Sequence, residues 1–281
     1  MSPLKRRPHN MTLIQAIVLA VVQGVTEFLP ISSTAHLVLV PWLVGWADQG
    51  LTFDIALHAG TLVAVLAYFA REWLGMLASL FGGTSRAPGV DRRMLGIIVA
   101  ATVPGGLAGY FLESYAESVF RSPALIAAML MGVAGLMWMA DRRRRLLRSA
   151  DSITLTDGLV IGMAQALAVV PGTSRAGITI AAGLFRNLTR EAAARFSFML
   201  ATPIIGGAAL KKGLEVWQQG LPPGFTPADF LVGFVVSAAT GYAAIWFLLR
   251  YLQVRTLKIF VAYRLVLGAI ILAVEFLRST A

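Results

Sequence analysis

Six stretches of this sequence stay apolar for about 20 residues, the length a helix needs to cross a hydrocarbon layer of about 30 Å. They fall at about 52–70, 94–112, 123–140, 193–210, 229–249 and 258–277, separated by loops rich in Arg, Gly and Pro. A water-facing surface cannot be built around them. Only 14% of the residues are charged against 57% hydrophobic, and the mean hydropathy is +0.74, whereas a soluble domain carries about a quarter charged residues. The expectation is an all-α integral membrane protein, one polytopic domain over residues 1–281.

Two further apolar regions, about 12–47 and 153–186, are broken in the middle by Pro30-Ile31-Ser32-Ser33 and Pro171-Gly172-Thr173-Ser174. Neither half of either region is long enough to span. A helix stopped by Pro and restarted at a Ser or Thr cap suits a re-entrant hairpin, whose freed backbone groups must find partners inside protein. Aligning Pro30 with Pro171 sets Ser33 on Ser174 and Thr34 on Arg175. Shortly after, Phe53-x-x-x-Leu57 matches Phe196-x-x-x-Leu200. The chain thus reads as two halves, about 12–140 and 153–277, each a hairpin followed by three spans. Three is odd, so the second half is inverted: six transmembrane helices plus two re-entrant helical hairpins form an inverted-topology repeat.

The net charge of +10 does not imply nucleic acid, because the basic residues sit in short runs between apolar stretches, as in Asp141-Arg142-Arg143-Arg144-Arg145. Such runs hold loops on the cytoplasmic side. Segments 71–93, 141–152, 186–195 and 250–258 carry about fifteen Lys and Arg, against about seven on the other side. That puts both termini outside and has the first hairpin dip in from outside, although Lys5, Arg6 and Arg7 run against the rule. These three precede an apolar run from Leu13 to Val22 that looks secretory. No small-x-small cleavage site follows, so the segment is expected to be retained, with Met11 an alternative start that leaves residues 1–10 dispensable. The lack of cysteine excludes a disulfide framework, a thiolate zinc site and a cysteine nucleophile.

Ionisable groups at membrane depth are costly, so each is a functional hypothesis. The first break collects Gln23, Glu27, Ser32, Ser33, Thr34 and His36; the second collects Gln165, Thr173, Ser174 and Arg175. Gln23 and Glu27 are four apart and share a helix face. Ser33 and His36 flank the start of the returning helix. Two helix N-termini and the guanidinium of Arg175 make a site for an anion, phosphate best of all. Bland roles compete: Ser32 and Thr173 read as caps, a membrane Glu pairs with Arg, and a His bonds a carbonyl. An acid, an amide, a hydroxyl, an imidazole and a guanidinium at one depth exceed what structure alone requires. Asp54 and His58, four apart, read as a structural pair. Tyr263 and Arg264 are weaker candidates, with Arg264 needing a partner such as Glu27 or a substrate phosphate.

The run Gln23-Gly-Val-Thr-Glu27-Phe-Leu-Pro30-Ile-Ser-Ser33-Thr-Ala-His36 resembles the first signature of the bacterial undecaprenyl-diphosphatase family, the bacitracin-resistance phosphatases. Pro171-Gly-Thr-Ser174-Arg175-Ala-Gly177 resembles their second, and order and length agree along essentially the whole chain. The resemblance implies hydrolysis of undecaprenyl pyrophosphate to undecaprenyl phosphate, recycling the lipid carrier of cell-wall polymers. It further implies a divalent cation, Mg2+ or Ca2+, and a multi-pass protein of the bacterial inner membrane whose active site faces the periplasm. By position, Gln23 and Glu27 fill the acidic motif, Ser33 and His36 are the catalytic serine and histidine, and Ser174 with Arg175 form the phosphate-binding motif. Taken with the polar residues around the breaks, the expected set is Glu27, Ser33, His36 and Arg175 as catalytic, and Gln23, Ser32, Thr34, Thr173, Ser174 and Arg264 as substrate-binding. Glu27 and Gln23 hold the metal, an amide oxygen being the poorer ligand for a hard cation. The attacker is either Ser33, deprotonated by His36, or a water activated by Glu27 or His36. The partners are the lipid substrate and the bilayer, without nucleic acid; a homodimer is allowed. The competing reading is a transporter or flippase of a lipid phosphate or anion, which has no need of a poised serine and histidine. A scaffold gives no reason for buried polar groups.

Overall fold

The computed structural model describes residues 11–83, 89–112, 122–143 and 146–280. Lys5, Arg6 and Arg7, and Arg144 and Arg145 of the basic run, lie outside them. The described residues form eleven α-helices: α1 Leu13–Phe28, α2 Ser33–Val44, α3 Leu51–Tyr68, α4 Ala70–Leu80, α5 Arg92–Phe111, α6 Pro123–Asp141, α7 Leu155–Ala166, α8 Arg175–Phe185, α9 Arg190–Gln219, α10 Pro227–Val254 and α11 Lys258–Thr280. The sole extended pairing among the described residues is an isolated bridge between Arg148 and Leu188.

Six of these helices, α3, α5, α6, α9, α10 and α11, are long and apolar enough to cross a membrane, at the six places the sequence marks. Their outward faces carry large apolar side chains such as Val103, Leu107, Val235, Val266 and Leu272, all exposed, which only an apolar surrounding tolerates in such number. The broken regions are helix pairs, α1 with α2 and α7 with α8. The longest of the four helices has 16 residues, about 24 Å at 1.5 Å per residue and short of a full crossing.

Local chemistry sets these boundaries. Thr12 and Gln15 form a reciprocal capping box at the start of α1; Thr154 and Asp157 do so for α7, and Thr226 and Asp229 for α10. Each box satisfies donors that a helix start leaves open. One element escaped the sequence reading, which made 71–93 a loop. Residues Ala70–Leu80 are helical, and Glu72 of α4 pairs with Arg195 of α9 at 2.5 Å.

Several helix contacts come in like pairs. Helix α1 lies on α10 as α7 lies on α5; α3 pairs with α9, and α6 with α11. The hairpin contacts are backbone to backbone. A Cβ built on Gly24 of α1 would stand 2.7 Å from the Ser237 carbonyl of α10, and one on Gly162 of α7 would stand 2.2 Å from the Ala101 carbonyl of α5. Only glycine fits at either place.

Candidate active site

The two breaks turn the chain by the same device. Ser32 takes φ +77° and Ser174 φ +64°, values that non-glycine residues seldom adopt. Each is the N-cap of the returning helix: Ser32 Oγ accepts the N–H of Ala35 at 3.4 Å, and Ser174 Oγ accepts that of Gly177 at 3.1 Å. The equivalent residues are therefore Ser32 and Ser174, one position away from the register obtained by aligning the prolines. Ser33 then stands opposite Arg175. Thr173, expected as a cap, instead donates its hydroxyl to the Leu167 carbonyl at 3.0 Å.

The two tips touch. Gly172 N–H donates to Ser32 Oγ at 3.2 Å, and Thr34 Oγ1 lies 3.3 Å from the same hydroxyl. Arg264 completes the joint. Fully buried, it donates to the carbonyls of Pro30 at 3.2 Å, Gly172 at 2.7 Å and Thr173 at 3.1 Å, and to Leu130 and Met129 of α6. Glu27, one of the two partners expected for Arg264, is not among these; the groups it meets are backbone carbonyls. A guanidinium with planar, divergent donors can gather carbonyls from three segments where a lysine could not.

Glu27, at the end of α1 beside this joint, is buried and surrounded. Its Oε1 accepts from Arg175 Nη2 at 2.6 Å. Its Oε2 accepts from Ser33 Oγ at 2.5 Å and from Gln23 Nε2 at 3.1 Å. His58 of α3 brings Nε2 to 3.3 Å from Oε2. Asp54 contributes its backbone to the pair predicted from the sequence: its carbonyl lies 2.6 Å from His58 Nδ1, which therefore carries a hydrogen. Any hydrogen between Nε2 and Oε2 is a second one, shared by imidazole and carboxylate. Arg175 is steadied from behind, with Nη1 donating to the Ser197 carbonyl at 3.3 Å.

His36 is not turned toward Ser33. Its Nδ1 lies 2.6 Å from the Ser32 carbonyl and its Nε2 2.7 Å from the hydroxyl of Tyr263, which stacks on the ring. With Nδ1 donating to the carbonyl, Nε2 of the neutral ring accepts from Tyr263. The group bonded to the Ser33 hydroxyl is Glu27.

The structure thus brings together Gln23, Glu27, Ser33 and Arg175, with Ser32, Thr34, Thr173 and Ser174 in the adjoining tips. His36 and Arg264 brace those tips. His58, expected to pair with Asp54, also meets Glu27. Its one legible signal was an ionisable ring within an apolar span, facing neither loop.

The family model described as bacitracin resistance protein BacA matches residues 16–270. The chain belongs to this family. Among its relatives, an undecaprenyl-diphosphatase of Moorella thermoacetica is 47% identical over 268 residues, spanning 95% of this chain and 100% of the relative. Proteins of the same name from Desulforudis audaxviator and Pelotomaculum thermopropionicum are 45% and 46% identical, each over 96% of this chain and 100% and 99% of their own lengths. In this BacA-family chain both signature runs fall within the matched residues and form the two touching tips.

Proposed function

We propose that the chain is a membrane-embedded phosphatase that hydrolyses undecaprenyl pyrophosphate to undecaprenyl phosphate and inorganic phosphate, as the names of its full-length relatives suggest. One observation carries the reading: a hydroxyl, that of Ser33, and a guanidinium, that of Arg175, are bound to opposite oxygens of one buried carboxylate, Glu27. A nucleophile, a base and an anion-holder are what phosphoryl transfer requires of a protein. A transporter would need only the last.

In this mechanism the terminal phosphate meets Arg175 and the open N–H groups at the start of α8, supported by Ser174. Arg175, drawn toward the phosphate, loosens its hold on Glu27. Ser33 Oγ attacks the terminal phosphorus while its proton passes to Glu27 Oε2. The bond to the bridging oxygen breaks, and the electron pair leaves with undecaprenyl phosphate. Glu27 passes that proton to the departing undecaprenyl phosphate. Water then attacks the phosphoserine and gives its proton to the freed carboxylate. As the P–Oγ bond breaks, its electron pair stays on Ser33 Oγ, which takes the proton back from Glu27 while inorganic phosphate leaves. His36, held by Tyr263, fixes the Ser32 carbonyl and so the turn that aims Ser33; it positions the nucleophile and does not deprotonate it. His58 supports Glu27 from the α3 side.

The donor set suits a divalent cation of the oxygen-loving kind. Gln23 Oε1 is buried without a partner among the described residues, and Glu27 Oε1 keeps a lone pair beyond the one that faces Arg175. Mg2+ is commonly held by one or two protein oxygens together with substrate phosphates. Glu27 and Gln23 would hold Mg2+ or Ca2+, which would neutralise charge building on the phosphate oxygens.

The wider reading is of an inner-membrane protein with two re-entrant hairpins in an inverted repeat, halves about 12–140 and 153–277, and a site open to the periplasm. Its support is the matched packing of α1 on α10 and α7 on α5, the shared Ser caps and the Arg-rich loops. A homodimer is compatible with it. Purified protein should release phosphate from undecaprenyl pyrophosphate and stop when a chelator is added. Release undiminished in Glu27→Gln and Arg175→Ala would sink the assignment. Labelled phosphate trapped on Ser33 during turnover supports the covalent route, whereas turnover by Ser33→Ala at the native rate favours direct attack by water. A cysteine placed at Ser149, in a chain otherwise free of cysteine, should be labelled only from the cytoplasm.

A further inference from the structure

At the end of α6, where α11 begins, a cavity of about 240 Å³ is lined by Trp138, Asp141, Arg142, Thr256, Lys258 and Val261. Its one carboxylate is already engaged. Asp141 Oδ1 accepts from Arg190 Nε at 2.5 Å and Oδ2 accepts the Leu257 N–H at 3.0 Å. Among the described residues neither Arg142 nor Lys258 meets a carboxylate. The Arg142 guanidinium is held 4.5 Å over the Trp138 ring, leaving its N–H edge free for an anion. The other wall is apolar: the buried side chain of Val261 lines it, and so does Trp138, whose 45% exposure at a helix end suits the level of lipid headgroups.

We propose that this cavity binds the phosphate of an anionic phospholipid, with its acyl chains laid along the exposed side of Trp138. The two uncompensated cations and the Thr256 hydroxyl recognise the phosphate, and a basic pocket between spanning helices is a recurrent headgroup site. A free phosphate would satisfy the cations and leave the aromatic wall without use. The site does not depend on the phosphatase reading, since none of its residues touches Glu27, Ser33 or Arg175. It would clamp α6 to α11 and so stabilise the pair that carries the Arg264 joint.

The test is lipid retention. Protein reconstituted in equal phosphatidylcholine and phosphatidylglycerol, then extracted gently, should keep bound phosphatidylglycerol detectable by native mass spectrometry. The Arg142→Gln/Lys258→Gln variant should hold it about thirtyfold more weakly, as expected for losing two favourable headgroup contacts. Arg142→Lys/Lys258→Arg should hold it almost as well as the native chain. Equal retention by the native chain and the Gln pair would overturn the proposal, as would displacement of phosphatidylglycerol by inorganic phosphate at comparable concentration, which would mark a free-anion site. The two single Gln substitutions are measured alongside, and unchanged retention in both overturns it even if the pair fails to fold.

Discussion

The hairpin of α1 and α2 and the hairpin of α7 and α8 share a backbone and divide the chemistry. In both, a Thr-led capping box opens the first helix and a serine at positive φ opens the second. At matching places the first hairpin has Glu27, Ser33 and His36 where the second has Val169, Arg175 and Ile178. Gln23 and Gln165 also correspond, yet Gln23 donates to Glu27 whereas both amide atoms of Gln165 lack a partner among the described residues. A shared turn geometry therefore does not make two sites. One hairpin supplies the Glu27 carboxylate and the Ser33 hydroxyl, the other the Arg175 guanidinium, and the three are joined only where the tips meet.

The largest expected effect belongs to the Glu27 carboxylate. Glu27→Gln should lower kcat about 10³-fold, within the range general-base catalysis contributes, while Val169→Leu at the matching place should change phosphate release less than about twofold. Comparable losses from both would break the comparison. Next comes the cation. Arg175→Lys keeps the charge but loses the fork, and a fall in kcat of about 10²-fold is expected. A rise in KM with unchanged kcat would instead make Arg175 a ground-state anchor.

The shared caps should differ because one of them also joins the tips. Ser174→Ala removes a cap for about 1 kcal/mol, whereas Ser32→Ala also removes the acceptor of the Gly172 N–H and should cost about 1 kcal/mol more, read by thermal denaturation in detergent. Ser32→Ala should slow turnover more as well. The smallest effect is a pH dependence carried by the capping box of the second hairpin. Its capping box uses Asp157 where the first uses Gln15. Burial pushes the Asp157 carboxyl up, but hydrogen bonds from Arg148, Thr154 and Arg186 outweigh this and hold it well below the usual carboxylate range. A carboxyl lowered on folding stabilises the protein above its unfolded pKa of about 4, and that contribution is lost as the pH falls further. Asp157→Asn should therefore reduce stability at pH 7 and flatten its fall on acidification, whereas Gln15→Asn should leave that fall unchanged.

The spans were legible because a bilayer demands unbroken apolar runs, and the breaks because Pro followed by Ser or Thr interrupts them. That the tips carry the polar groups followed from how few such groups the apolar regions contain. The register between the halves was not legible to the residue: Pro30 and Pro171 invite alignment, yet the backbone pairs Ser32 with Ser174. Three-dimensional partners were out of reach for the same kind of reason. His36 could be placed near Ser33 by spacing, but spacing could not show that Ser32 and Tyr263 claim both of its nitrogens. His58 arrives from another helix altogether. Helix α4 was passed over because its charges, Arg71 and Glu72, read as loop, although Trp73, Leu77 and Leu80 repeat at helical intervals.

Arg264 sits on α11, which is made after every other segment that builds the site. Until that segment leaves the ribosome and inserts, the carbonyls of Pro30, Gly172 and Thr173 have no common donor to draw the two turns together. A partly synthesised chain would hold the acid, the serine and the cation in the membrane without the strut that joins them, so competence to cleave a pyrophosphate should arrive late and all at once.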